Sequence, residues 1–259
     1  MKTLLWIALF LFGLTGVLFP AIYLYTASKL PQLDSDYDLE TLLRLSVEGE
    51  RMSVALGLPP KERGFVAWPK PELANYPKDF VALYLSQFGC PNYFKAPRET
   101  GVPWAMRLIK STWGSGLEGD PGGACEFLFA SRLAQTLGIK GGMDVAVAVN
   151  KIHTVLQKDQ LIAYDMSSSY VSHGVVGVEQ AVTKTLHKEL KDMNLAELSE
   201  AALVVPPNYL FDEVRTCNNA ALIKRARDVV IEQLKADELI SEAQASNAEA
   251  APVACLKTP

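Results

Sequence analysis

Leu195-Ala196-Glu197-Leu198-Ser199-Glu200-Ala201-Ala202-Leu203-Val204, then Pro206-Pro207-Asn208-Tyr209, then Asn218 and a periodic segment holding Arg225, sets an apolar run, a proline turn and a second apolar-periodic segment in series. After it, Leu222, Ile223, Ala226, Val229, Val230 and Leu234 recur at helical spacing. That spacing predicts one apolar helix face, with Arg225, Arg227 and Lys235 solvated. Working outward, Val145, Val149, Ile152 and Leu156 fall on a single stripe, with Lys151, Thr154 and Gln157 elsewhere around the helix. From Val145 to Gln244 the period is that of helices, so the predicted class is mainly α.

The order of these pieces resembles the C-terminal half of the family 51 peptidoglycan glycosyltransferase domain of class A penicillin-binding proteins and monofunctional transglycosylases. In that family a Leu-x-x-Ala-Glu-Ala-Ala-Leu-Leu-Ala helix precedes a Pro-containing turn, Asn-Pro, an Arg-bearing helix and a closing Ile-(Thr/Ser)-x-x-(Gln/Glu)-Ala. Here the close reads Leu239-Ile240-Ser241-Glu242-Ala243-Gln244. Gln157-Lys158-Asp159-Gln160-Leu161-Ile162 is similar to the family's Ser-Lys-x-Glu-Ile-Leu, and residues 170–181 are similar to Tyr-Phe-Gly-x-Gly-x-x-Gly-Ile-Glu-x-Ala. The likeness covers roughly residues 120 to 248 and, more weakly, 75 to 120. It implies a lysozyme-like, two-lobed helical glycosyltransferase domain over 76–248.

Three departures bear on chemistry. A helix predicted over Tyr76–Leu85, ended by Gly89 and Pro91, leads in the family to Glu-Asp-x-x-Phe-x-x-His-x-Gly, whose Glu is the general base. This chain reads Gln87-Phe88-Gly89-Cys90, with Phe88 in the Glu place. A phenyl ring accepts no proton, and removing a positioned base costs roughly 10²- to 10⁴-fold in rate. Gly122-Gly123 resembles the start of the family's Gly-Gly-Ser-Thr-Ile-Thr-Gln-Gln, but the Ser-Thr and Gln-Gln are gone and Arg132 replaces one Gln. The family's Arg-Lys-x-x-Glu falls on Gly141 to Val145, so a second Glu is missing.

The carboxylates left as catalytic candidates are Glu126 and Asp144, with Glu118 and Asp120 nearby; the nearest diphosphate partners are Arg132, Lys140 and Lys151. Cys125 and Phe127 flank Glu126, so burial is expected to raise its pKa toward a base's working range. The favoured reading of Glu126 is nonetheless a solvent-facing helix-start carboxylate, stabilised by the helix dipole. The resemblance implies bacterial cell-wall biogenesis, with lipid-linked precursor, glycan strand or other synthesis proteins as partners. Catalytic degeneracy with a binding or scaffold role is the favoured expectation, and an active, divergent transglycosylase the second.

A chain of 259 residues with 49% hydrophobic content can bury one sizeable core. Its net charge of −4 offers no basic face for nucleic acid. Residues 3–28 carry no charge, with Trp6 near one end and Tyr23 and Tyr25 near the other, which predicts a transmembrane signal anchor rather than a cleaved signal peptide. The flanking Lys2 and Lys29 orient it weakly, and the resemblance implies that the bulk lies outside the cytoplasm. A juxtamembrane helix and Pro-rich segment are expected over 29–75, with a short polar linker at 31–36, and a flexible tail over 249–259. The glycine-rich run 114–123 fails phosphate-loop spacing. Cys90, Cys125, Cys217 and Cys255 allow up to two disulfides, with burial as small hydrophobes an equal alternative for Cys90 and Cys125. His153, His173 and His187 show no metal-ligand spacing and read as packing or surface residues. No cofactor is expected, and a divalent cation enters only through the resemblance.

Overall fold

The computed structural model describes residues 18, 20–48, 71–98, 121–172, 175–205 and 217–253. They are mainly helical, as the apolar periods predict. A helical segment over 20–29 leads to α1 (Asp36–Glu48). Then come α2 (Lys78–Gln87), α3 (Pro121–Thr136), α4 (Gly142–Val155) and α5 (Lys158–Ser168). A two-stranded antiparallel hairpin of β1 (Tyr170–Ser172) and β2 (Val175–Val176) pairs Tyr170 with Val176. The chain continues through α6 (Val178–Leu186), α7 (Leu195–Ala202), α8 (Ala220–Ala236) and α9 (Glu242–Ala250).

Local chemistry sets the helix ends. Asn194 accepts from the Glu197 amide at 3.0 Å while the Glu197 carboxylate accepts from the Asn194 amide at 2.9 Å, a reciprocal box that starts α7. Ser241 and Gln244 start α9 in the same way. At the opposite end of a helix, Gly89 lies just beyond α2 with φ of 70°, a region glycine enters without strain. Gly177 is required more stringently: φ is 85°, and a Cβ there would meet the Ser167 carbonyl oxygen at 2.9 Å.

At the centre is α5, whose residues from Leu161 to Ser168 are all buried. With no solvent to receive them, the Ser167 and Ser168 hydroxyls donate back to the Tyr164 carbonyl at 3.0 and 2.7 Å. On this helix packs α3, which also packs on α4, while α7 lies against α2 and α8. Phe80, Phe129, Leu133, Val149, Ile152, Leu161 and Ile162 share one core, each apolar side chain contributing roughly 1.5–3 kcal/mol.

The juxtamembrane helix packs on the domain through the apolar face its period predicts, with Leu39 and Leu43 in that same core, and Leu33 of the preceding linker joins them. Several expectations are corrected. The polar linker is fastened down: Leu33 is 1% exposed and Asp34 pairs with Lys151 at 3.0 Å. The tail expected from 249 begins inside α9, whose Ala245 and Ala248 are buried. On α8 the buried face is Ile223, Arg227, Ile231 and Leu234, while Leu222 and Val229, expected inside, are 50% and 65% exposed. Most of the predicted anchor and of the Pro-rich segment lies outside the described residues. Among those described, no helix is long and apolar enough to cross a membrane.

Candidate functional site

Glu126 sits in the early turns of α3 and is 1% exposed. Three groups converge on its carboxylate. His153, in the last turn of α4, places Nε2 2.6 Å from Oε2. Arg98 brings Nε to 3.3 Å from the same oxygen, and Lys158, the first residue of α5, brings Nζ to 3.2 Å from Oε1. The short His153 contact requires the proton on Nε2, so that nitrogen cannot also accept from Arg98. The Arg98 Nε–H is therefore directed at Oε2.

The cations do a second job at the α4–α5 corner. A helix C-terminus leaves carbonyls without partners, and Arg98 Nη2 donates to those of His153 and Leu156. Lys158 Nζ donates to the carbonyls of Tyr93 and Ala96 at 2.7 and 2.6 Å and lies over the Tyr93 ring. Two of the three N–H groups of the ammonium are thus taken by carbonyls, and its charge stands 3.2 Å from Glu126 Oε1. Next to Glu126, Cys125 forms a disulfide with Cys90, fastening the same 90–98 segment to α3. The disulfide reading holds for this pair, and the alternative of two unpaired cysteines buried as small hydrophobes does not. Cys217 is also disulfide-bonded, to a residue outside those described.

Burial pushes the Glu126 carboxyl up, but the hydrogen bond and pull of His153, the Arg98 guanidinium and Lys158 outweigh it and hold the group below the usual carboxylate range. The solvent-facing reading is thus overturned, and so is the upward shift that burial alone would bring: burial is present, and so are the partners that overcome it. Glu126 is an ionised carboxylate at neutral pH, and a weak base.

Arg132 lies in a second cluster. Its Nε is 2.8 Å from Asp165 Oδ1, its Nη2 donates to Ser169 Oγ at 2.7 Å, and the guanidinium covers the Phe88 ring at 4.7 Å. Tyr84 donates to the other Asp165 oxygen at 2.6 Å; burial first and then Asp165 push its hydroxyl well above the ordinary value. Phe88 packs against Tyr84 and Phe129 with centroids 5.0 and 5.4 Å apart. The position at which the resemblance sets a base is therefore part of an aromatic cluster.

The predicted residues do not assemble into one site. Lys140 and Asp144 are exposed on either side of the α3–α4 corner, with Asp144 in the first turn of α4. Lys151 belongs to the Asp34 pair. Sequence reasoning passed over Arg98 and Asp165 and set His153 aside as a packing or surface residue; of the Glu126 partners only Lys158 stood in a motif. Arg227, expected in solvent, is fully buried against Glu200 at 3.2 Å and donates to the Glu249 carbonyl at 3.1 Å, joining α7, α8 and α9. Among the described residues no three His, Cys, Asp or Glu side chains group to hold a metal ion. No protein-family profile matches the chain, and no curated protein resembles it at a significant level.

Proposed function

We propose that this protein is a membrane-anchored, catalytically degenerate relative of the peptidoglycan glycosyltransferases. In this reading a lysozyme-like two-lobed frame, with its bulk outside the cytoplasm, binds lipid-linked cell-wall precursor or glycan strand and acts as a scaffold in cell-wall biogenesis. The sequence likeness supplies the family, and the mainly helical body is compatible with it. Charge-locking of Glu126 is the observation that carries the degenerate part. Sugar transfer from a lipid diphosphate needs a base for the acceptor hydroxyl and cations for the departing diphosphate. Glu126 is held ionised by its partners, Phe88 packs among aromatics, and Arg132 and Lys151 each hold a carboxylate of this chain.

One observation favours a second reading, an active divergent transglycosylase: Asp144 is solvent-exposed at the start of α4. Both are tested by incubating full-length protein in detergent with lipid-linked disaccharide-peptide precursor. The expected outcome is precursor retained on the protein with no glycan polymer. Polymer that disappears in Asp144→Asn replaces the degenerate reading with the enzyme. Folded protein that neither retains nor polymerises precursor removes both.

A further inference from the structure

The exposure pattern of the amino-terminal helix changes along its length. Leu18, Pro20, Ala21 and Ile22 point in different directions around the axis, and all are exposed. From Tyr23 onward one stripe is covered: Tyr23, Ala27 and Leu30 are half-buried and Thr26 is buried, at the i, i+3, i+4, i+7 spacing of a single helix face. Tyr23 Oη accepts from Asn150 Nδ2 of α4 at 2.7 Å, and the Asp34–Lys151 ion pair makes a second tie one residue further along α4. Beyond the junction, Leu24 and Tyr25 are 66% and 63% exposed, with the Lys29 ammonium 3.9 Å from the Tyr25 ring centre.

A helix that is apolar on all sides and uncovered by protein needs a hydrocarbon surround, whereas one with a single covered stripe lies on a protein surface. The sequence from Thr3 to Ile22 has no charge, and 20 helical residues are about what a bilayer core of roughly 30 Å requires. Tyrosine and lysine just past such a run are the residues that settle among headgroups.

We infer that the bilayer surface meets the globular body at Tyr23 and Asn150, with the hydrocarbon ending between Ile22 and the exposed Leu24 and with Tyr25 and Lys29 among the headgroups. The body is then docked on the membrane without a flexible spacer, and the surface around Asn150 on α4 rests on lipid. This rests on the anchored reading proposed above and adds where the membrane lies and what faces it.

The test uses full-length protein in vesicles of phosphatidylcholine with a minority of phosphatidylglycerol. Single cysteines are introduced as Ile22→Cys, Ser28→Cys and Val229→Cys and spin-labelled; Cys90, Cys125 and Cys217 are disulfide-bonded and do not compete. The label at position 22 is expected to collide with oxygen in preference to a water-soluble nickel chelate, and those at 28 and 229 the reverse. Adding Asn150→Leu is expected to sharpen the spectrum at position 28 while the protein stays in the vesicles. A label at 28 buried in hydrocarbon, a label at 22 in water on vesicle-bound protein, or unchanged mobility with Asn150→Leu each overturns the docking. Release of the protein by alkaline carbonate removes the anchor itself, a failure distinct from the other three.

Discussion

Glu126 and Glu200 are buried carboxylates that each face an arginine, at 1% and 0% exposure. Their surroundings differ. Arg227 is itself 0% exposed, faces the part-exposed Asp228 at 3.3 Å as well, and extends to carbonyls of α9 and the residues after it, while both members of the Glu200 pair are out of water. The cations at Glu126 come from the segment after α2 and the start of α5, and Arg98 and Lys158 keep 23% and 16% exposure. A closed pair leaves an uncompensated charge when one partner goes, whereas partly exposed cations can be rehydrated. The comparison separates a helix staple from a latch on a loop corner.

The largest expected effect breaks the closed pair. Arg227→Met should lower stability by about 4 kcal/mol in urea denaturation, and adding Glu200→Leu should recover much of it, because an apolar pair removes the stranded charge. Next is the covalent tie beside the latch. Replacing Cys90 and Cys125 together by serine frees a loop with sequence separation of 35, for an expected loss of about 3 kcal/mol on the same scale.

Smaller still is Glu126→Gln, which keeps the shape and removes the charge; a loss of about 2 kcal/mol or less is expected because Arg98 and Lys158 reach water. A loss equal to that of Arg227→Met would erase the distinction between staple and latch. The pH response sharpens it. Glu126 is held below its ordinary 4.5 in the folded chain, so its contribution is present above that value and is lost as pH falls through the lower folded pKa. The wild type should therefore lose more stability than Glu126→Gln on going from neutral pH to below about pH 4. Parallel curves would contradict the latch.

Much of the fold was legible because hydrophobic period is a local signal. Val149, Ile152 and Leu156 lie in the core as their stripe predicts, and α2 stops at Gly89 as expected. On α8 the same logic chose the wrong face. A period counts apolar residues, whereas a charge enters the core when its partner waits there, and Glu200 is 27 residues from Arg227. The site was harder still. Arg98 and His153 stand 28 residues before and 27 after Glu126, a separation that no local pattern encodes. The helix-start position of Glu126 favoured solvent over burial, its apolar neighbours offering burial only as the second reading, and the sign of its pKa shift depends on partners that only the folded chain assembles.

The most direct measurement is a carbon-13 titration of the Glu126 carboxyl in the full-length protein, assigned by its absence in Glu126→Gln. The account predicts a midpoint below the ordinary 4.5. A midpoint near neutrality, where a general base works, would contradict it and return Glu126 to catalysis.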